Sequence, residues 1–145
     1  MPIRRILLGF IAGFLAVLTV HQSVIWLGGY FGILPGGPRG WPVTPVPPLG
    51  VYQIFSLAFW GGVWGILLAL ISARLGRSLW AAIAVVLIFG AATTAVGWYV
   101  VTPLKGRVIE AITVQRALTG LVINGSFALG ALLFLRLFEG GSAEG

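Results

Sequence analysis

The sequence predicts an all-α polytopic membrane protein: four transmembrane helices in a compact bundle, with a Pro-rich loop between helices 1 and 2. Three observations predict it. The chain is 59% hydrophobic and only 8% charged, with a mean hydropathy of +1.05, far more apolar than a water-facing surface tolerates. Its 145 residues divide into four apolar stretches, each near the ~20 residues that cross a bilayer. The breaks between them carry all the prolines but Pro2 and half of the charges. The expected organisation is one transmembrane domain over 1–145, with spans at about 6–30, 51–72, 79–101 and 114–138 and a tail at 139–145.

The first element opens as "MPIRRILLGFIAGFLAVLTV", a basic start and an apolar run, as signal peptides do. No small-x-small cleavage site follows, and the apolar run continues through His21 and Gln22 into "SVIWLGGYFGIL", so the segment reads as an uncleaved span. Ile3 to Leu34 is too long for one upright crossing, which predicts a tilt or an interfacial turn near Gly28 to Leu34. "PGGPRGWPVTPVPPLG" then holds six prolines, whose fixed φ and missing N–H forbid a helix. It is expected as an extended loop, with Trp41 anchored among the headgroups.

The second span is Val51 to Ser72, closed by the basic turn "ARLGRS"; the third, Leu79 to Val101, ends on Trp98 and Tyr99, where an interfacial aromatic belt belongs. "TPLKGRVIEAIT" is expected to carry a short amphipathic helical turn, with Arg107 and Glu110 spaced i,i+3 to pair. The fourth span runs from about Val114 to Phe138 before "EGGSAEG". An even number of crossings puts both termini on one side, with Arg4, Arg5, Arg74, Arg77 and Arg136, against Arg39, Lys105, Arg107 and Arg116 on the other. The paired arginines at the first span and the short Arg74/Arg77 turn predict cytoplasmic termini.

Lipid tails are as apolar as Leu, so membrane helices associate through close packing at small residues and through polar contacts. On the second span Ala58, Gly62, Gly65, Ala69 and Ser72 fall within about a quarter turn. The third offers Gly90, Thr94 and Gly97 on one face. On the first, Gly28 and Gly32 lie within about 20° of His21, which would turn the histidine toward a neighbour. Trp60 and Trp64 lie deep in the second span on its other side; they either fill gaps and face tails, or form a contact surface for a partner subunit or a pigment-like ligand.

At 1.5 Å per residue, His21 sits about 24 Å above Arg5, in the half of the membrane away from the termini. Gln22, Gln53, Ser56, Thr93, Thr94, Gln115, Arg116, Thr119 and Asn124 are expected at a similar level, leaving the other half nearly bare of polar groups. Hydrogen-bonding groups in hydrocarbon are costly without partners, so this convergence predicts a network or a wet cavity. Two uses stay open. The residues staple the helices together, or His21, Gln22, Gln53, Thr94, Arg116, Thr119 and Asn124 form a small binding site in which Arg116 attracts an anionic headgroup or substrate.

The inventory argues against catalysis. The acids are Glu110, Glu139 and Glu144, with no Asp and no Cys, so paired-carboxylate chemistry, a Ser-His-Asp relay and His/Cys metal clusters lack material. Haem would find one axial imidazole and a sole methionine at the start of the chain. No phosphate-cradling "GxxxxGK[ST]" occurs; "GFIAG", "GGYFG" and "GVWG" within apolar spans read as packing motifs. Although the net charge is +6, the basic residues are scattered along span ends, which excludes a nucleic-acid surface. No cofactor and no metal are expected. The expected partners are the lipid bilayer and either a homo-oligomer or a larger membrane complex.

"PVPPLGVYQIFSLAFWGGVWGILLAL", Pro45 to Leu70, together with His21-Gln22 and the apolar arms around them, resembles a family of small uncharacterised four-helix inner-membrane proteins of alphaproteobacteria. The resemblance implies a multi-pass protein of a bacterial inner membrane and supplies no activity or cofactor. The function these readings favour is a non-catalytic accessory or structural subunit that self-associates or joins a larger membrane complex. The alternative is a binding or transport module for a small molecule or anion, built on the polar cluster.

Overall fold

A computed structural model of the protein describes residues 2–140. Four helices are long and apolar enough to cross a membrane: α1 (Ile3–Tyr30), α2 (Gln53–Leu75), α3 (Leu79–Leu104) and α4 (Val114–Gly140). Four crossings put the two ends of the chain on one side, called here the termini side, and the Pro-rich loop on the far side. The helices are not arranged as a closed square. α1 lies along α2, α4 lies against both α1 and α3, and α2 scarcely meets α3.

The interior mixes large side chains such as Leu68, Phe89, Phe127 and Leu132 with small ones, and the small ones lie where helices cross. Ala12, Ala16, Ala58, Ala69, Ala128 and Ala131 are buried, while Leu7, Phe55, Phe59, Leu87 and Leu133 face outward. A hydrocarbon solvent explains the small residues at the crossings: large side chains gain little by leaving lipid, whereas small ones let backbones approach and multiply van der Waals contact. At the α1–α2 crossing Gly9 and Gly13 face Gly61 and Gly65, a four-residue spacing on each helix. A Cβ on Gly13 would strike the Gly61 carbonyl, and one on Gly65 the Gly9 carbonyl. Ala58 and Ala69 continue that seam, and Gly62 lies under the Phe10 ring. Gly90 meets the Gly125 backbone at the α3–α4 crossing.

Three of the glycines expected at helix seams serve otherwise. Gly32 lies beyond the end of α1 with φ +70°, in the turn that follows it. Gly28 contacts Leu34 of the chain's own return, and its carbonyl accepts from the Ile33 and Leu34 N–H groups. Gly97 has open space where a Cβ would stand. The apolar run therefore breaks at Tyr30, and the 3.6-residue projection that aligned Gly32 with His21 does not hold past that point.

Two helices depart from α geometry on the far side. α1 takes a π turn at Val17–His21 and α3 another at Gly97–Val101. α3 continues through Thr102–Leu104, then turns at Lys105-Gly106; residues 107–113 are not helical, so the expected amphipathic turn is absent. Glu110 pairs with Arg116 at 2.6 Å, not with Arg107, because the extended segment no longer stacks i on i+3. Ser78 caps α3 by accepting from the Ala81 N–H.

The Pro-rich segment forms no helix, as its prolines require. Pro45–Val46 (β1) and Val51–Tyr52 (β2) pair antiparallel, and the carbonyls of Thr44 and Pro42 accept from the Gln53 and Ile54 N–H groups at the start of α2. At the other end α4 runs to Gly140, so Glu139, expected as the start of a tail, belongs to the helix; residues 141–145 of that tail lie outside the described residues.

Candidate functional site

The geometry begins with Gln22, which is buried on α1 just after the π turn. In that turn the Gln22 N–H bonds to the Val17 and Thr19 carbonyls, so the Leu18 carbonyl loses its usual i+4 donor. The Trp41 indole N–H supplies one at 2.7 Å. The Trp41 main-chain N–H donates to Gln22 Oε1 at 2.8 Å. Trp41 is thus pinned at two points to α1, and its backbone sits at φ +48°, a region costly for a bulky residue and held only where surrounding contacts demand it. Its indole N–H is met by α1, while the side chain stays partly exposed on the far side.

Gln22 Nε2 lies 3.3 Å from His21 Nδ1. His21 in turn lines a cleft of about 150 Å³ whose walls draw on all four helices: Val17 and His21 of α1, Trp60 and Trp64 of α2, Thr93 of α3, Asn124 and Phe127 of α4. The cleft lies where α2 and α3 scarcely meet. Trp64 spans part of the gap, its ring edge-on to Phe89 at 6.2 Å. Trp60 forms the rim and is 60% exposed, so the cleft opens sideways toward lipid.

A second hydrogen-bonded group supports the floor. Asn124 Nδ2–H donates to Thr94 Oγ1 at 2.9 Å, and Thr94 Oγ1–H donates to the Gly90 carbonyl at 2.7 Å. Thr93 Oγ1–H donates to the Phe89 carbonyl at 2.6 Å. Each threonine thereby satisfies its own donor and presents lone pairs to its neighbours, and the α3–α4 pair is tied at the level where the cleft needs a fixed wall.

Of the seven residues expected to form a site, His21, Gln22, Thr94 and Asn124 come together, two lining the cleft and two holding its liners. Gln53, Arg116 and Thr119 do not. Gln53 occupies the first turn of α2 beside the Pro-rich loop. Arg116 turns to the far surface, where Glu110 and the Ala111 carbonyl hold its guanidinium; a charge so near a helix end escapes the hydrocarbon by reaching outward. Thr119 borders a separate, apolar cavity of about 410 Å³ between the end of α1 and α4, with Leu27, Gly28, Leu34 and Val122. An anion site centred on Arg116 is therefore not assembled at His21.

On the termini side the charges expected at the span ends are drawn together. Arg5 Nη1 pairs with Glu139 at 2.9 Å, Arg5 Nε–H donates to the Ala69 carbonyl at 2.8 Å, and Nη2 reaches Ser72 Oγ at 3.5 Å. One guanidinium thus joins α1, α2 and α4. The sign available in sequence was an acid at the end of the last apolar run, on the side where the first run begins with an Arg pair. Among the described residues no group of three or more His, Cys, Asp or Glu comes together to hold a metal. No protein-family model, curated protein or solved structure matches the chain.

Proposed function

We propose that the protein is a non-catalytic binding module of a bacterial inner membrane, holding a small lipophilic molecule in the cleft between α2 and α3. One observation carries the reading: a lateral opening lined by His21, Asn124 and Thr93 together with Trp60 and Trp64. Lipid alone gives no reason to keep three polar side chains at the bottom of a lipid-facing gap. Ligand sites combine apolar walls with a few placed polar groups, and this cleft has that composition at the scale of a single ring.

The assembly reading keeps a narrower basis. The α1–α2 glycine seam and the Gly90–Gly125 contact are taken up within the chain, so a second copy or a larger complex would have to meet the outward aromatic face of α2, where Phe55, Phe59 and Trp60 stand exposed. Native mass spectrometry of protein released from mild detergent separates the two readings. A single copy retaining a small lipophile, lost in Trp60→Ala, supports the binding module; a bare oligomer supports the accessory subunit.

A further inference from the structure

The Pro-rich loop, through Gln22, sets which nitrogen of His21 carries the proton, and we propose that the cleft consequently selects a lipophilic ring bearing a carbonyl acceptor, the class to which quinone head groups belong. The inference rests on the cleft being a binding site and names what it takes.

A glutamine amide has one acceptor end and one donor end. The Trp41 main-chain N–H can only donate, and it meets Gln22 at 2.8 Å, so the end it meets is Oε1. The opposite end, Nε2–H₂, therefore faces His21 Nδ1 at 3.3 Å, and Nδ1 must accept. A neutral imidazole that accepts at Nδ1 carries its hydrogen at Nε2. Among the described residues Nε2 meets no protein partner, while the ring lines the cleft. Asn124 adds a second donor at the same floor, since Nδ2 has two hydrogens and Thr94 takes one.

The cleft thus presents N–H donors to a region where lipid offers no acceptor, and an unmet donor in hydrocarbon is costly. A hydrocarbon ring fills the space between Trp60 and Trp64 without answering those donors. A ring of the same shape with a carbonyl does both: its π face stacks on indole and its oxygen accepts from His21 and Asn124.

The test uses duroquinone and durene, rings of equal size and methylation that differ in two carbonyls, added to the full chain in bicelles. His21 is the sole histidine, so imidazole nitrogen NMR reads its tautomer directly. The expected spectrum shows protonated Nε2 and bare Nδ1; duroquinone shifts the Nε2 signal and binds at least tenfold more tightly than durene. Gln22→Glu keeps the acceptor for Trp41 and, as a carboxylate, cannot donate to Nδ1. It should move the proton to Nδ1 and bring duroquinone down toward durene while leaving durene unchanged. Should that substitution disturb the fold, His21→Phe preserves the ring volume and should level the two ligands in the same way.

A wild-type proton at Nδ1, or equal binding of the two rings at the cleft, overturns the carbonyl selection and leaves the binding module standing. If neither ring perturbs His21 or the Trp60 environment, the binding module falls with it.

Discussion

At the residue scale, the far half of the bundle depends on a few polar side chains whose partners are fixed by covalent geometry. Asn124 to Thr94 is a direct bond between α3 and α4. Its replacement by Leu removes the bond while filling similar space, and interhelical bonds in membranes are worth about 0.6 to 1.7 kcal/mol. Asn124→Leu should therefore lower the unfolding free energy in mixed micelles by about 1 kcal/mol and leave helix content unchanged by circular dichroism. Glu139 should behave differently from a surface acid, because one Arg5 guanidinium serves it, Ala69 and Ser72 together. With side-chain exposures of 31% for Arg5 and 20% for Glu139, solvent screens only part of the attraction. Glu139→Gln should cost roughly 1 kcal/mol in the same assay, and the loss should shrink as salt is raised.

At the element scale, the seams are decided by where a methyl group fits. Gly65 is in contact with the Gly9 carbonyl, so Gly65→Ala forces α1 and α2 apart. Overpacking of this kind costs about 1 to 3 kcal/mol. Gly97 is helical, with φ −56°, and has open space at its Cβ position, so Gly97→Ala should be neutral or stabilising by up to about 1 kcal/mol. Comparing the two variants by unfolding in mixed micelles checks the seam directly, since equal losses would show that both glycines pack. The GxxxG-like spacing was legible in the sequence, and Gly62, Gly65 and Gly90 pack as it predicted, but not every glycine it pointed to does. Gly9, Gly13 and Gly61 do, while Gly28, Gly32 and Gly97 do not, because a helical projection counts angle and is blind to where a helix stops or takes a π turn.

At the scale of the whole molecule, the four crossings make a sharp topological prediction. The chain has no native cysteine, so single cysteines report accessibility without background. Arg39→Cys and Lys105→Cys should react with a membrane-impermeant maleimide from one side of sealed vesicles, and Arg74→Cys from the other. Labelling of all three from one side would remove the four-span arrangement. The path α2–α1–α4–α3 also explains why the cleft lies where it does. Helices adjacent in sequence, α2 and α3, are joined by a tight turn on the termini side yet scarcely meet along their length, and the cleft lined by Trp60, Trp64 and Thr93 lies between them.

Composition and hydropathy by themselves determined that this chain crosses a membrane four times through an all-helical bundle, that the proline segment interrupts it, and that polar residues gather on the far side. Those properties follow from transfer free energies and from φ restrictions, which are local and additive along the chain. Only the tertiary structure decided that Trp41 turns back onto α1, that Arg116 leaves for Glu110, that Arg5 reaches Glu139, and that His21, Thr93 and Asn124 share one opening. Each of these depends on which groups the packed helices bring within reach of one another, and that is a property of three-dimensional neighbours with no counterpart in sequence spacing.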